Sequence, residues 1–94
     1  MANQIRSQRP SQALEEKRIP QVSLNDLPAG RSGIVSHLDG EKELVNRILS
    51  LGFAIGAYVT VLDNQRQGPI VVSVLGAHFA LGRQEADLIR VQPV

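Results

Sequence analysis

Leu49-Ser50-Leu51-Gly52-Phe53-Ala54-Ile55-Gly56 joins an amphipathic helical segment to a β-branched run through two glycines four residues apart, and its reading decides the fold. Upstream, Leu44, Ile48 and Leu51 recur at i, i+4 and i+7, one stripe of a 3.6-residue helix, while Glu43, Asn46 and Ser50 lie elsewhere around the axis. Asp39 and Gly40 are the expected start residues, and Glu41 and Glu43 put negative charge at the positive end of the helix dipole. Gly52 stands where a left-handed residue would close the helix, a conformation that costs a residue with a side chain roughly 1 kcal/mol. The spacing therefore predicts a helix over 41–51. Val45 and Leu49 widen its apolar face, so the helix is either clamped between two surfaces or keeps part of that face for a partner.

On either side of this helix the pattern is that of short strands. Arg31–Leu38 reads as one, with Gly33 allowing a bulge or a close backbone approach. Tyr58–Leu62 is a second by β-branched content, and Asp63–Gly68 is a polar loop. Pro69 opens a third, in which Ile70, Val72 and Val74 share one face and Val71, Ser73 and Leu75 the other. Gly76-Ala77 has the glycine-first form of a type II′ hairpin and leads into a strand over 77–81. Gly82–Asp87 suits a single 3₁₀ turn before a last strand over 88–91, and Ser23–Gly30 is a lead-in anchored by Leu24 and Leu27. Five short strands, one helix inserted after the first and a short helical turn before the last make a mainly β fold, a small, partly open SH3-like barrel.

The chain has 94 residues, enough for one small domain, and its first twenty-one differ from the rest. Residues 1–21 carry Arg6, Arg9, Lys17 and Arg18 against Glu15 and Glu16, with Pro10, Pro20 and few large apolar side chains. Such a segment buries too little surface to offset its ordering entropy and is expected to be a disordered tail, leaving residues 22–94 as the domain. It lacks the apolar run of a secretory signal, and no stretch approaches the roughly 20 apolar residues of a membrane span, so a cytoplasmic protein without direct membrane insertion is expected. Cysteine is absent, which excludes disulfides, thiolate metal sites and a cysteine nucleophile. The six basic residues from Val22 onward are scattered singly among seven acidic ones, and Phe53, Tyr58 and Phe79 are the only aromatic rings. Neither a phosphate-tracking patch nor a stacking platform results, so nucleic acid is not an expected partner.

The expected core is Leu44, Ile48, Leu51, Val59, Val61, Ile70, Val72, Val74, Phe79, Leu81, Ile89 and Val91. Each contributes roughly 1.5–3 kcal/mol on burial, most of it cancelled by backbone ordering, so little stability is spare for a strained catalytic site. His37 and His78, with Asp39 nearby, are the only residues that invite a transition-metal reading, and Glu41 and Glu43 are better explained by the helix dipole. No resident cofactor is expected beyond such weak metal binding. No serine has a nucleophile-elbow setting, and Gly30-Arg31-Ser32-Gly33 lacks the lysine and following helix of a phosphate loop. An enzyme is not expected.

Four segments together resemble the FeoA family: Leu24–Gly30, Arg47–Gly56, Gly68-Pro69-Ile70 and Ala80–Val91, in the family's order and spacing. The most specific is the arginine, leucine-rich, Leu-Gly, two residues, Gly element; the family usually carries proline where this chain has Ile55. The resemblance implies a small cytosolic SH3-like accessory protein of bacterial ferrous iron uptake. It would act by contact with the cytoplasmic part of FeoB, a membrane transporter with a GTP-binding domain.

The residues around this element are compatible with a contact mechanism. Arg47 offers a planar donor fork, and Gly52–Gly56 exposes backbone and presents Phe53 beside the helix end; aromatic and arginine side chains are the usual anchors of a binding surface. The alternative is that Phe53 caps the barrel and Arg47 pairs with Glu43 at i, i+4. The expected partner surface comprises Arg47, Leu49, Leu51, Gly52, Phe53 and Gly56, with Asp63 and Arg66 on the rim loop. Two other readings stay open: a small metal-binding regulator using His37 and His78, and a self-associating unit in which the Ile70–Leu75 strand pairs edges between chains.

Overall fold

The computed structural model describes residues 20–65 and 67–94; most of the expected tail, residues 1–19, and Arg66 lie outside them. In chain order the elements are β1 (Val22–Ser23), a 3₁₀ turn (Leu24–Asp26), β2 (Ser32–Leu38), α1 (Lys42–Ser50), β3 (Tyr58–Asp63), β4 (Ile70–Val74), β5 (Ala77–Leu81), α2 (Arg83–Asp87) and β6 (Ile89–Pro93). The strands form one antiparallel six-stranded sheet in the order β1-β6-β2-β3-β4-β5, the mainly β architecture expected.

Alternation sets the inner face. Val59 and Val61 of β3, Ile70, Val72 and Val74 of β4, and Ile89 and Val91 of β6 are all buried, and their neighbours in sequence are half-buried or exposed. A bulge at Ser36 lets β2 contribute Val35 to the core and still turn His37 outward, because the register steps from Val35–Val91 to His37–Arg90. Gly33 is the close approach rather than the bulge: a Cβ there would stand 3.1 Å from Val91 Cβ and Gln92 O. A second register shift falls at Leu62, between Val61 and Asp63.

Helix α1 closes as its sequence predicts, with Leu51 as C-cap and Gly52 at φ 109°. Its start differs from expectation. Glu41 is the N-cap, without a side-chain hydrogen bond, and Asp39 faces His37 and Arg90 instead of the helix start. Other local readings are corrected by long-range contacts. The lead-in supplies a sixth strand, Val22–Ser23 paired with Val91 and Arg90 of β6. Residues Arg83–Asp87 form an α-helical turn rather than a 3₁₀ one, with Ala86 fully buried. Val74 pairs with Ala77, so the hairpin loop is Leu75-Gly76, with both residues at positive φ (53° and 80°), a type I′ and not a type II′ turn. Strand β4 lies between β3 and β5, so it has no edge through which chains could pair.

The core is correspondingly different from the expected set. Leu44, Leu51 and Phe79 are only half-buried, whereas Leu24, Leu27, Val35, Phe53 and Ala86 join the interior. Leu24 and Leu27 flank the 3₁₀ turn, which Ser23 caps by accepting a hydrogen bond from the Asn25 N–H at 3.1 Å. No helix among the described residues is long and apolar enough to cross a membrane.

Candidate functional site

The Leu51–Ala57 connection is tied to the sheet by its own backbone. Gly56, at φ 92°, donates to Val35 O at 2.7 Å, Val35 donates to Ala57 O at 2.9 Å, and Ala57 donates to Ala54 O at 2.9 Å. These bonds hold Ile55 at the apex of a turn, 60% exposed. Beside it the outward pair Ile34–Tyr58 runs across β2 and β3, with Tyr58 56% exposed. One residue beyond the Val59–Val74 pair lies Leu75, 80% exposed at the tip of the β4–β5 hairpin. Leu75 rests on Gly52: its Cδ1 is 3.1 Å from where a Cβ on that glycine would stand. Leu49, 39% exposed, occupies the last turn of α1 and accepts a hydrogen bond from the Gly52 N–H.

The apolar side chains at this end therefore come from three separate segments. No Lys, Arg, Asp or Glu occurs between Arg47 and Asp63, nor from Gln67 to Gly82, so this end of the molecule is free of formal charge over both stretches. Such a surface can exclude water from an apolar partner, with the exposed Tyr58 hydroxyl as its polar handle.

The expected contact residues are divided by the fold. Leu49 and Gly52 lie at this surface, and Gly56 shapes it through its backbone. Leu51 is half-buried against the core. Phe53 is fully buried, its ring centroid 6.0 Å from that of Phe79, so the reading in which it caps the barrel holds. Arg47 does not pair with Glu43: its Nη2 meets Glu85 Oε2 of α2 at 2.8 Å, and its side chain stays 64% exposed. Asp63 is exposed at the far end of β3, and Arg66 lies outside the described residues. Ile34, Ile55, Tyr58 and Leu75 were not expected in the site. A signal was present in Leu75-Gly76, which reads as a turn tip carrying an apolar side chain once the hairpin is shifted back by one residue.

Two shallow depressions flank the other side. One, of about 440 Å³, runs between α1 and α2 over Leu44 and Leu88, with Arg47 and Glu85 on its rim. The other, of about 590 Å³, is polar and lined by Asn25, Asp26, Pro28, Asn64 and Arg83. Its residues form a clasp. Arg83 Nε donates to Gly68 O at 2.9 Å, Nη1 to Asn64 Oδ1 at 2.7 Å and to Asn25 Oδ1 at 3.2 Å, and Nη2 to Gln65 O. Asn64 Nδ2 donates in turn to Asn25 O and Leu27 O, and Asn25 Nδ2 to Arg83 O. The guanidinium is thus occupied in holding the β3–β4 loop against the 3₁₀ turn. Neither depression sets a nucleophile beside a base.

The metal candidates are not gathered. His37 lies on β2 and His78 on β5, on opposite sides of the β3–β4 pair. His37 Nε2 is 3.0 Å from Asp39 Oδ1, but Arg90 Nε holds Asp39 Oδ2 at 3.1 Å. Among the described residues no group of three His, Asp or Glu side chains is placed to hold a metal ion.

Comparison with known proteins adds to this geometry. The FeoA domain profile matches residues 22–93. A relative from Methanocaldococcus jannaschii, described as an Fe(2+) transport protein A, is 35% identical over 63 residues, which is 67% of this chain and 76% of the relative. The crystal structure of an iron uptake regulatory protein, FeoA, superposes with a TM-score of 0.76 at 32% identity, covering 80% of this chain and all of that one. The zinc complex of Stenotrophomonas maltophilia FeoA, an SH3 domain protein, gives 0.64 at 30% identity over 72% of this chain and 86% of its own.

Proposed function

This chain belongs to the FeoA family, associated with ferrous iron transport, and on that premise we propose that it is an accessory protein acting by contact with the cytoplasmic part of the FeoB transporter. The contact surface in this reading is the charge-free end formed by Leu49, Ile55, Tyr58 and Leu75, and the protein works in the cytoplasm, where that part of the transporter lies.

One observation carries the reading. Leu75 is both 80% exposed and at φ 53°, so it is unfavourable in two ways where Asn would be favourable in both. A bulky apolar side chain kept at a strained, solvent-facing tip is what an anchor for a partner's pocket looks like. The clasp around Arg83 lies elsewhere and holds the β3–β4 loop against the 3₁₀ turn, whereas the side chains at this end make no such polar ties.

The test is binding of the purified cytoplasmic domain of the cognate transporter, with its GTPase rate measured alongside. Leu75→Asn and Leu49→Asp are expected to weaken binding at least tenfold while leaving circular dichroism unchanged. Wild-type affinity in both folded variants would overturn the surface.

A metal-binding regulator has narrower support, one imidazole and one carboxylate at His37 and Asp39, with Arg90 competing for the carboxylate. Equilibrium dialysis with ferrous and zinc ions decides it: stoichiometric uptake lost in His37→Ala would favour this reading.

A further inference from the structure

Strand β5 is an open edge of the sheet. It pairs with β4 on one side, and among the described residues no backbone hydrogen bond reaches it from another element. The tight turn fixes which groups are left over. With a two-residue loop, Val74 and Ala77 are a hydrogen-bonded pair and the pattern alternates from there, so Ala77, Phe79 and Leu81 direct their N–H and C=O groups at β4. Those of His78 and Ala80 point away from the sheet.

Natural edges are usually guarded by shortness, lysine, proline, a bulge or an inward charge. The opposite edge, β1, is guarded by being two residues long. Ala77-His78-Phe79-Ala80-Leu81 contains no lysine, proline or acidic residue and keeps a regular register throughout. Its central residue is also unfinished as a core residue: Phe79 faces inward opposite Val72 and packs on Phe53, yet stays half-buried.

We propose that β5 pairs antiparallel with β5 of a second copy of this chain about a two-fold axis through Phe79. His78 of each copy then faces Ala80 of the other as a hydrogen-bonded pair, which satisfies all the outward-pointing groups. Phe79 faces its own symmetry mate at the non-hydrogen-bonded position, where Cα atoms approach to about 4.5 Å and the two rings cover each other's exposed part. The arrangement is self-compatible in charge, because His78 never lies opposite His78. A five-residue ladder falls short of the area of a permanent interface, so the association is reversible and depends on concentration. The pairing requires no transporter and is independent of the contact surface above.

Sedimentation of the full chain from micromolar to millimolar concentration is the first measurement, and the weight-average mass is expected to rise toward that of a dimer. Ala80→Pro removes an outward N–H without touching a bond to β4, so it should fold and remain monomeric over the same range. The chain has no cysteine, which makes a second variant clean: His78→Cys combined with Ala80→Cys should give a disulfide-linked dimer under mild oxidation, since hydrogen-bonded pairs stand about 5.5 Å apart. A wild-type protein that stays monomeric at millimolar concentration would overturn the pairing. So would a dimer that Ala80→Pro leaves intact and the cysteine variant does not cross-link.

Discussion

Leu75 Cδ1 stands 3.1 Å from the place a Cβ on Gly52 would occupy, so the tip of the β4–β5 hairpin rests on the residue that ends α1. Both residues have positive φ, 53° at Leu75 and 109° at Gly52. The glycine takes its conformation without cost, and the leucine does not. Helix end and hairpin tip thereby meet at one end of the sheet.

Replacing Leu75 with Asn makes the turn Asn-Gly, the preferred pair for type I′. Relief of backbone strain is expected to raise unfolding free energy by about 1 kcal/mol, offset slightly by the weaker packing of the shorter side chain on Gly52. Urea denaturation measures the gain, and titration with the transporter's cytoplasmic domain measures the expected loss of affinity. A variant that is both less stable and equally well bound would contradict the role given to this side chain.

The glycines at 33 and 52 should respond differently to alanine. At Gly52 the neighbour is the exposed end of a leucine, which can swing aside, so Gly52→Ala loses about 1–2 kcal/mol through φ alone. At Gly33 the neighbours are Val91 Cβ and the Gln92 carbonyl, both fixed in β6, and separation of β2 from β6 costs about 1–3 kcal/mol. Combining Gly52→Ala with Leu75→Asn checks the first cause: a loss due to φ alone is not rescued by removing the leucine end, whereas rescue would assign it to the contact.

Phe53→Ala empties a fully buried ring position against Phe79 and should cost about 3–5 kcal/mol. Leu49→Asp, on the half-open last turn of α1, should cost much less and act on binding instead. Thermal midpoints of the two variants separate a packing residue from a contact residue; equal shifts would place Leu49 in the core.

Arg83→Lys retains the charge but loses the planar fork that serves Gly68, Asn64, Asn25 and Gln65 together. A loss of about 2 kcal/mol is expected, with most of the effect already present in the lysine variant and little added by alanine. Amide exchange should quicken in the β3–β4 loop and in the 3₁₀ turn, and not in the hairpin tip.

Binding through the charge-free end should depend weakly on salt, since no formal charge lies within the segments that form it. Isothermal titration at low and high ionic strength checks this. A steep fall in affinity with salt would move the contact to the Arg47–Glu85 or Arg83 side.

Much of the fold was legible because its signals are local. The i, i+4, i+7 stripe and Gly52 bound α1 to within a residue, and β-branched content together with glycine and proline turn signals located β2 to β6. The turn at Leu75-Gly76 was misplaced by one residue because glycine fits either loop position, and only the Val74–Ala77 pairing chooses between them. Residues 22–23 were missed as a strand because two residues carry no periodicity and pair only once β6 is in place.

The candidate site was legible only in part. The helix-end element lies at the charge-free end proposed as the contact surface, and Leu49 and Gly52 are found there. Whether Phe53 or Leu75 faces solvent could not be read from a pattern, because an apolar side chain in a connection is buried or exposed according to what lies opposite it.

By itself the sequence determined the helix, five of the six strands, their order, the helix-ending glycine and the family, all consequences of periodicity, backbone preference and motif spacing. Tertiary structure alone decided that Phe53 goes inward and Leu75 outward, that Arg47 meets Glu85 38 residues away, and that Arg83 joins Asn25 58 residues away. Those choices are made where distant segments compete for the same space and the same hydrogen-bonding groups, and that competition exists only once the sheet has closed around its core.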